Sequence, residues 1–227
     1  MRDSQENATT AALRQLGIAV ETRLLVQDIP AGSPSKGKLR TGDLLVSVDG
    51  TKVVGGAQLR DLITSRDPGD TVRLVVRRQG KKVGVTIRTT EAEDGRAIVG
   101  VTTRDEADYP FTVEIRLEDV GGPSAGLMFA LGIVEKLTPG SLSGGRHVAG
   151  TGTIDDAGGV GPIGGITQKM VGAQRSGATV FLAPADNCAE ARRTKPDGLQ
   201  LVRAATLNSA VRALELIRAG RPGIPRC

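Results

Sequence analysis

The chain reads as an α+β protein in two parts, a small β-rich module followed by a larger α/β domain. Three observations predict this. Residues 16–90 break into short apolar runs separated by turn signals, with two helices among them. From about residue 97 onward, longer apolar helix stripes alternate with short apolar strands. Between them lies Thr90-Glu91-Ala92-Glu93-Asp94-Gly95, a polar stretch with a turn that reads as a linker over 91–96. The chain has 227 residues, comfortable for two domains. Aromatic residues are 2% of it, so both cores must be built from Val, Leu, Ile and Ala.

The elements follow in order. Residues 1–15 read as an N-terminal helical segment, and Leu24–Ile29 as a strand before a polar turn region, Pro30–Gly37. Gly42-Asp43-Leu44-Leu45-Val46-Ser47-Val48-Asp49-Gly50 reads as a strand closed by an Asp-Gly turn. Gln58–Ser65 forms a short helix through Leu59, Leu62 and Ile63. Val72–Val76 and Val83–Ile87 alternate around Gln79-Gly80-Lys81 as a hairpin. Strands are then expected at Ile98–Thr102 and Phe111–Leu117. Leu127, Met128, Leu131, Val134 and Leu137 make one helical stripe over Ser124–Leu137. A second helix is expected over Ile166–Ser176, a strand at Leu201–Ala204, and an amphipathic helix over Thr206–Ala219 that stops at Gly220. Residues 97–222 form the second domain and 223–227 a tail.

Charge and composition exclude several classes. Residues 1–92 hold 15 Lys/Arg against 10 Asp/Glu, whereas residues 93–227 hold 15 of each. The excess cations alternate with apolar residues, as in Arg73-Leu74-Val75-Val76-Arg77-Arg78, which is the wet face of a strand rather than a nucleic-acid footprint. No Cys/His cluster has metal-ligand spacing, so neither a metal nor another cofactor is expected. Cys188 and Cys227 say little, and the terminal Cys227 reads as mobile. Gly32-Ser33-Pro34-Ser35-Lys36-Gly37-Lys38 imitates a phosphate-binding loop, but Leu39 stands where Ser or Thr must hold Mg²⁺. No stretch of 18 apolar residues exists and Met1–Glu6 is polar, so neither a transmembrane helix nor a signal peptide is expected within this chain.

The residues that carry chemistry are Ser124, in Gly121-Gly122-Pro123-Ser124-Ala125-Gly126, and Lys169, in Gly164-Gly165-Ile166-Thr167-Gln168-Lys169. A serine hydroxyl needs a base before it attacks a carbonyl. The single histidine, His147, lies in an expected strand, Arg146–Ala149, which favours a structural role. A lysine amine serves instead if burial holds it neutral, and apolar Ile166, Met170 and Val171 around Lys169 predict such burial. Ser124 opens a helix, so the amides of Ser124 and Ala125 are candidate oxyanion donors.

Four blocks in order, over roughly 125 residues from Ala97 to Gly220, resemble the proteolytic domain of the Lon family. They are Gly122-Pro123-Ser124-Ala125-Gly126, Gly150-Thr151-Gly152-Thr153-Ile154, Gly159–Gly165 with Lys169, and Arg175–Ala178 with Val180–Pro184 and Asn187. The resemblance implies Ser124 as nucleophile, Lys169 as general base and Thr151 as a hydrogen-bond partner near the lysine. It departs from the family at Gly121, where ATP-dependent Lon enzymes often carry Asp.

The first module resembles a PDZ domain. Lys38-Leu39-Arg40-Thr41-Gly42-Asp43 through Val48-Asp49-Gly50 matches that family's Leu-x-x-Gly-Asp core, and Leu16-Gly17-Ile18 its carboxylate-binding loop, with Gln15 replacing the leading Gly. This implies a groove at Leu16, Gly17, Ile18, Gln58 and Leu62 that takes an extended C-terminus as an added strand.

Together the resemblances imply an ATP-independent serine endopeptidase of bacterial type, cleaving unfolded or flexible proteins. Its PDZ module would select substrates or regulate access. They further imply a hexameric ring, a membrane tether outside this chain and a site facing away from the cytoplasm. The rival reading is a PDZ scaffold on an idle Lon-like assembly platform.

Overall fold

The structure is a computed structural model that describes residues 2–114 and 122–227. The chain divides into two compact units, one made of residues 1–20 with 111–227 and the other of residues 21–110. The second unit is therefore an insertion into the first. This differs from the expected order of helix, PDZ module, linker and protease in three ways. The N-terminal helix and residues 16–20 belong with the first unit. Residues 91–96 lie inside the inserted unit rather than between domains. Residues 97–110 complete that inserted unit.

In the inserted unit, β1 (Glu21–Asp28), β2 (Leu44–Val48), β3 (Thr51–Lys52), β4 (Thr71–Arg78) and β5 (Lys81–Arg88) precede β8 (Thr102–Asp108). The sheet order is β5-β4-β2-β1-β8, with β3 beside β2. Its strands alternate: on β4, Val72, Leu74 and Val76 are buried while Arg73 and Arg77 are exposed. Arg73 and Arg77 thus lie on the solvated face of the sheet. The helix α2 (Gly56–Thr64) covers the apolar face with Leu59 and Ile63. The expected linker is a small hairpin of β6 (Thr90–Glu91) and β7 (Ala97–Ile98).

Asp43 of the Gly-Asp core is 1% exposed and takes a bidentate bond from Arg78, with Nε–Oδ1 and Nη2–Oδ2 both 2.7 Å. Burial pushes the Asp43 carboxyl up, but the Arg78 bond and the Arg40 amide outweigh it and hold it below its ordinary value. A depressed folded value means that this stabilisation is present above the unfolded pKa, about 4, and is lost as pH falls through the folded one. Asp43→Asn is expected to weaken the module by about 1–3 kcal/mol at neutral pH, since Arg78 keeps its charge without its partner. Hydrogen exchange of the β4 amides measures this, and the gap to the parent protein should close below about pH 4.

The first unit begins with α1 (Arg2–Gln15). Then come α3 (Gly126–Leu137), β9 (Val148–Gly150), β10 (Thr153–Ile154), β11 (Val160–Gly161) and α4 (Ile166–Arg175). The last elements are β12 (Val180–Pro184), α5 (Cys188–Arg193), β13 (Gln200–Ala204) and α6 (Leu207–Arg218). β12 lies between β9 and β13, parallel to both, and all five of its residues are buried. A central parallel strand covered on both faces is apolar throughout. Val180 and Leu182 feed the core shared by α1, α3 and α6, while Phe181 and Ala183 feed the core under α4 and α5. β10 and β11 form an antiparallel pair, and Thr206 with Ser209 make a capping box that starts α6.

Phe111–Leu117, expected as a strand, has no strand at 111–114, and its remaining residues lie outside those described, as does Gly121. Cys227 is not a loose end. It forms a disulfide with Cys188, and Arg203 of β13 donates to the Pro225 carbonyl at 3.0 Å, so the tail is strapped along β13.

Candidate functional sites

Ser124 lies in a 3-10 turn, Pro123–Ala125, that leads into α3, and Gly122 enters it at φ +93°. This turn is held from two sides. The Ser124 carbonyl accepts from the Thr151 hydroxyl at 2.9 Å and from the Gly152 amide at 2.8 Å. On the other side, the Ser4 hydroxyl of α1 donates to the Pro123 carbonyl at 3.4 Å, and Asn7 donates to the Ile154 carbonyl at 3.3 Å. Gly126 completes the clamp. A Cβ there would lie 2.9 Å from Ile154 Cγ2 and 3.3 Å from Ser4 Oγ, so only glycine lets α1 and β10 approach the turn this closely. The amides of Ser124 and Ala125 sit in the first turn, where N–H groups lack intrahelical acceptors.

Lys169 Nζ donates to Ser124 Oγ at 3.2 Å. Two side chains 45 positions apart in sequence thus meet at hydrogen-bond distance. The expected burial of Lys169 is not found, because Lys169 is exposed. Ile166 and Met170, each fully buried, define the inward stripe of α4, and Lys169 flanks that stripe rather than entering it. Thr151 braces the serine side of the pair. Its hydroxyl, on a residue 2% exposed, bonds the Ser124 main chain rather than the lysine. Thr151→Val keeps the shape and removes that donor. The expected result is a kcat lower by about tenfold, with about 1–2 kcal/mol less stability, read by steady-state kinetics beside thermal unfolding. His147 is exposed and sits just before β9, where its carbonyl accepts the Thr179 amide.

The expected carboxylate loop at Leu16-Gly17-Ile18 is a helix end instead. Gly17, at φ +70°, terminates α1. The Leu16, Gly17 and Ile18 amides donate to carbonyls of Ala12, Leu13 and Arg14 at 2.9–3.1 Å, and Leu16 packs on the core of the first unit. None of these amides is left for a ligand. Gln58 accepts the Val54 amide, and Leu62 packs against the inserted unit's core.

A cavity of about 440 Å³ lies elsewhere in that unit, between α2 and the segment 97–103. Leu59, Arg60 and Ile63 line one wall, and Val99, Gly100 and Val101 the other. The Val99 carbonyl is held by the Ser35 hydroxyl. None of the Val99, Gly100 and Val101 amides donates a hydrogen bond to a described residue. Gly100 has φ +66°, and a Cβ there would lie 2.5 Å from Ser33 Cβ. Asp105 of β8 accepts the Gly56 amide at 2.9 Å, capping α2 from the strand across the cavity. The signal for this loop was Ile98-Val99-Gly100-Val101, an apolar-Gly-apolar run read only as part of a strand.

Comparison with known proteins agrees with both halves. Residues 5–89 match the PDZ domain model, and residues 119–212 match the model of the Lon protease (S16) C-terminal proteolytic domain. Lon protease 1 of Bacillus subtilis (strain 168) is 47% identical over 66 residues, 29% of this chain and 8% of that protein. A probable periplasmic serine endoprotease DegP-like of Pseudomonas fulva (strain 12-X) is 34% identical over 74 residues, 32% of this chain and 15% of that one. Among solved structures, the PDZ domain of an SdrC-like protein from Listeria monocytogenes aligns at 26% identity and TM-score 0.34. It covers 35% of this chain and 85% of that domain. This chain therefore spans a small fraction of the curated relatives it matches. One part of the chain is thus similar to PDZ domains and the other to the Lon S16 proteolytic domain.

Proposed function

We propose that this chain is a serine endopeptidase working through a Ser124–Lys169 dyad without ATP. The observation that carries the reading is the 3.2 Å approach of Lys169 Nζ to Ser124 Oγ on a turn clamped by Thr151, Gly152 and α1. A neutral Lys169 accepts the Ser124 proton as Oγ attacks a peptide carbonyl. The Ser124 and Ala125 amides take the oxyanion. The amine product leaves with the proton, and the acyl-enzyme is hydrolysed by a water that Lys169 deprotonates in turn. Lys169 is exposed in this chain, where a bound substrate would cover it. The segment 32–38 forms turns and opens no helix.

Substrates are unfolded or flexible proteins. The inserted module captures a free C-terminus, with its carboxylate on the Val99–Val101 amides, its last side chain between Leu59 and Ile63, and its backbone along β8. The Cys188–Cys227 disulfide supports a site outside the reducing cytoplasm. No helix among the described residues is long and apolar enough to cross a membrane, so a membrane tether would be supplied by sequence outside them. The test is degradation of an unfolded model protein without ATP by the parent chain, Ser124→Ala and Lys169→Ala. Equal cleavage by all three would refute the dyad. Capture without cleavage by any of them would favour the scaffold reading.

A further inference from the structure

The loop that delivers α4, and with it Lys169, has few means of holding its own shape. It runs Pro162-Ile163-Gly164-Gly165 after β11, and two of its four residues have no side chain. Gly164 is exposed and has nothing within 4 Å of where a Cβ would stand, and Gly165 starts α4 at φ +71° with no side-chain cap. One residue from a different element grips it. Asn187, 7% exposed, accepts the Ile163 amide on Oδ1 at 2.9 Å and donates from Nδ2 to the Ile163 carbonyl at 3.0 Å. Both polar ends of one buried amide meet both main-chain groups of one residue, as a strand neighbour would. Among the described residues, these two bonds are the hydrogen bonds that tie Pro162–Gly165 to another element.

Asn187 is itself anchored on both sides. It ends the 3-10 turn Ala185–Asn187, which follows directly from the buried strand β12. The next residue is Cys188, bonded to Cys227, whose tail is strapped to β13 through Pro225. We infer that Asn187 is a positioning residue for Lys169. Its amide fixes the Ile163 backbone and hence the start of α4, which keeps Nζ within reach of Ser124 Oγ, while the Cys188–Cys227 bond holds Asn187 in place. The inference rests on the dyad reading above. Lys169 is an exposed side chain on a short helix, so a loosened loop changes its distance to the hydroxyl without unfolding the core. A displacement of about 1 Å at a reacting group costs on the order of a hundredfold in rate.

The experiment is steady-state hydrolysis of a fluorogenic unstructured polypeptide by the whole chain, with thermal unfolding recorded for each variant. Asn187→Ala is expected to lower kcat by about a hundredfold and leave KM within about twofold. The Cys188→Ala/Cys227→Ala pair should move kcat the same way by a smaller factor. Asn187→Asp keeps the acceptor for the Ile163 amide but sets a carboxylate against the Ile163 carbonyl, so it should stay impaired. If Asn187→Ala does not fold, Asn187→Asp and the cysteine pair carry the test. Folded variants that retain the parent kcat would overturn the inference, as would a kcat loss that vanishes at a temperature where each variant is fully folded. Lys169→Ala, run in parallel, separates the two levels. If it still cleaves, the dyad reading fails. If it is inactive while the Asn187 variants are not, only the positioning role fails.

Discussion

Ser124→Ala and Lys169→Ala should each lower ATP-free hydrolysis of an unfolded protein by about 10⁴-fold or more, with no loss of fold. The size follows from the proposed dyad mechanism. Without Oγ there is no acyl-enzyme, and without the amine the hydroxyl keeps its proton, so each change removes the whole covalent route. For the same reason the double variant should be no worse than either single one. Folding is spared because neither side chain supports a core: Ser124 is half-buried at a turn and Lys169 is exposed. Unfolding midpoints should agree within a few degrees. Lys169→Arg is the sharper control. Its guanidinium stays protonated, so it restores the charge but not the base, and it should remain inactive. An active Lys169→Arg protein would mean that Lys169 acts as a fixed charge rather than as a base.

Gly100→Ala should abolish capture of peptides with a free apolar C-terminus by the inserted module. At φ +66° a non-glycine residue costs about 1–2 kcal/mol. Beyond that, its Cβ would stand 2.5 Å from Ser33 Cβ and 2.9 Å from Pro34 Cδ, so the loop must move. Moving it redirects the amides of Val99, Gly100 and Val101, which together form the proposed carboxylate cradle. Fluorescence anisotropy with a labelled peptide should show at least a tenfold loss of affinity, matched by amidating the peptide's C-terminus on the parent chain. Unchanged binding in both cases would move the ligand site away from this loop. Leu16, Gly17 and Ile18 offer no alternative, since their amides already terminate α1.

These two sites differ in how far they were legible. Ser124 and Lys169 sit in local patterns that demand a turn, a helix start and a short helix, and those patterns formed where expected. Leu16-Gly17-Ile18 formed a helix end rather than an open loop for a physical reason. Leu16-Gly17-Ile18 and Val99-Gly100-Val101 are the same kind of sequence, a left-handed glycine between apolar residues. Such a run ends a helix or forms an anion cradle depending on whether carbonyls one turn earlier are there to take its amides. Those carbonyls belong to α1 in one case and are missing in the other. The Lys169 environment was misjudged similarly. Apolar neighbours in sequence were read as a surrounding shell, but a helix places Ile166 and Met170 inward and leaves Lys169 at the edge of their stripe.

The sequence by itself determined the helices α2, α3, α4 and α6 and the alternation of the inserted sheet. Periodicity and turn chemistry act over a few residues and are written into the chain directly. Only the tertiary structure decided which core α1 joins, that Thr151 braces the serine's backbone, that Asn187 grips the Ile163 main chain and that Cys227 reaches Cys188. Each of these joins residues distant in sequence. A small apolar stripe such as Ala8, Ala11 and Ala12 states that it will be buried, and the closed packing of the whole unit determines what buries it.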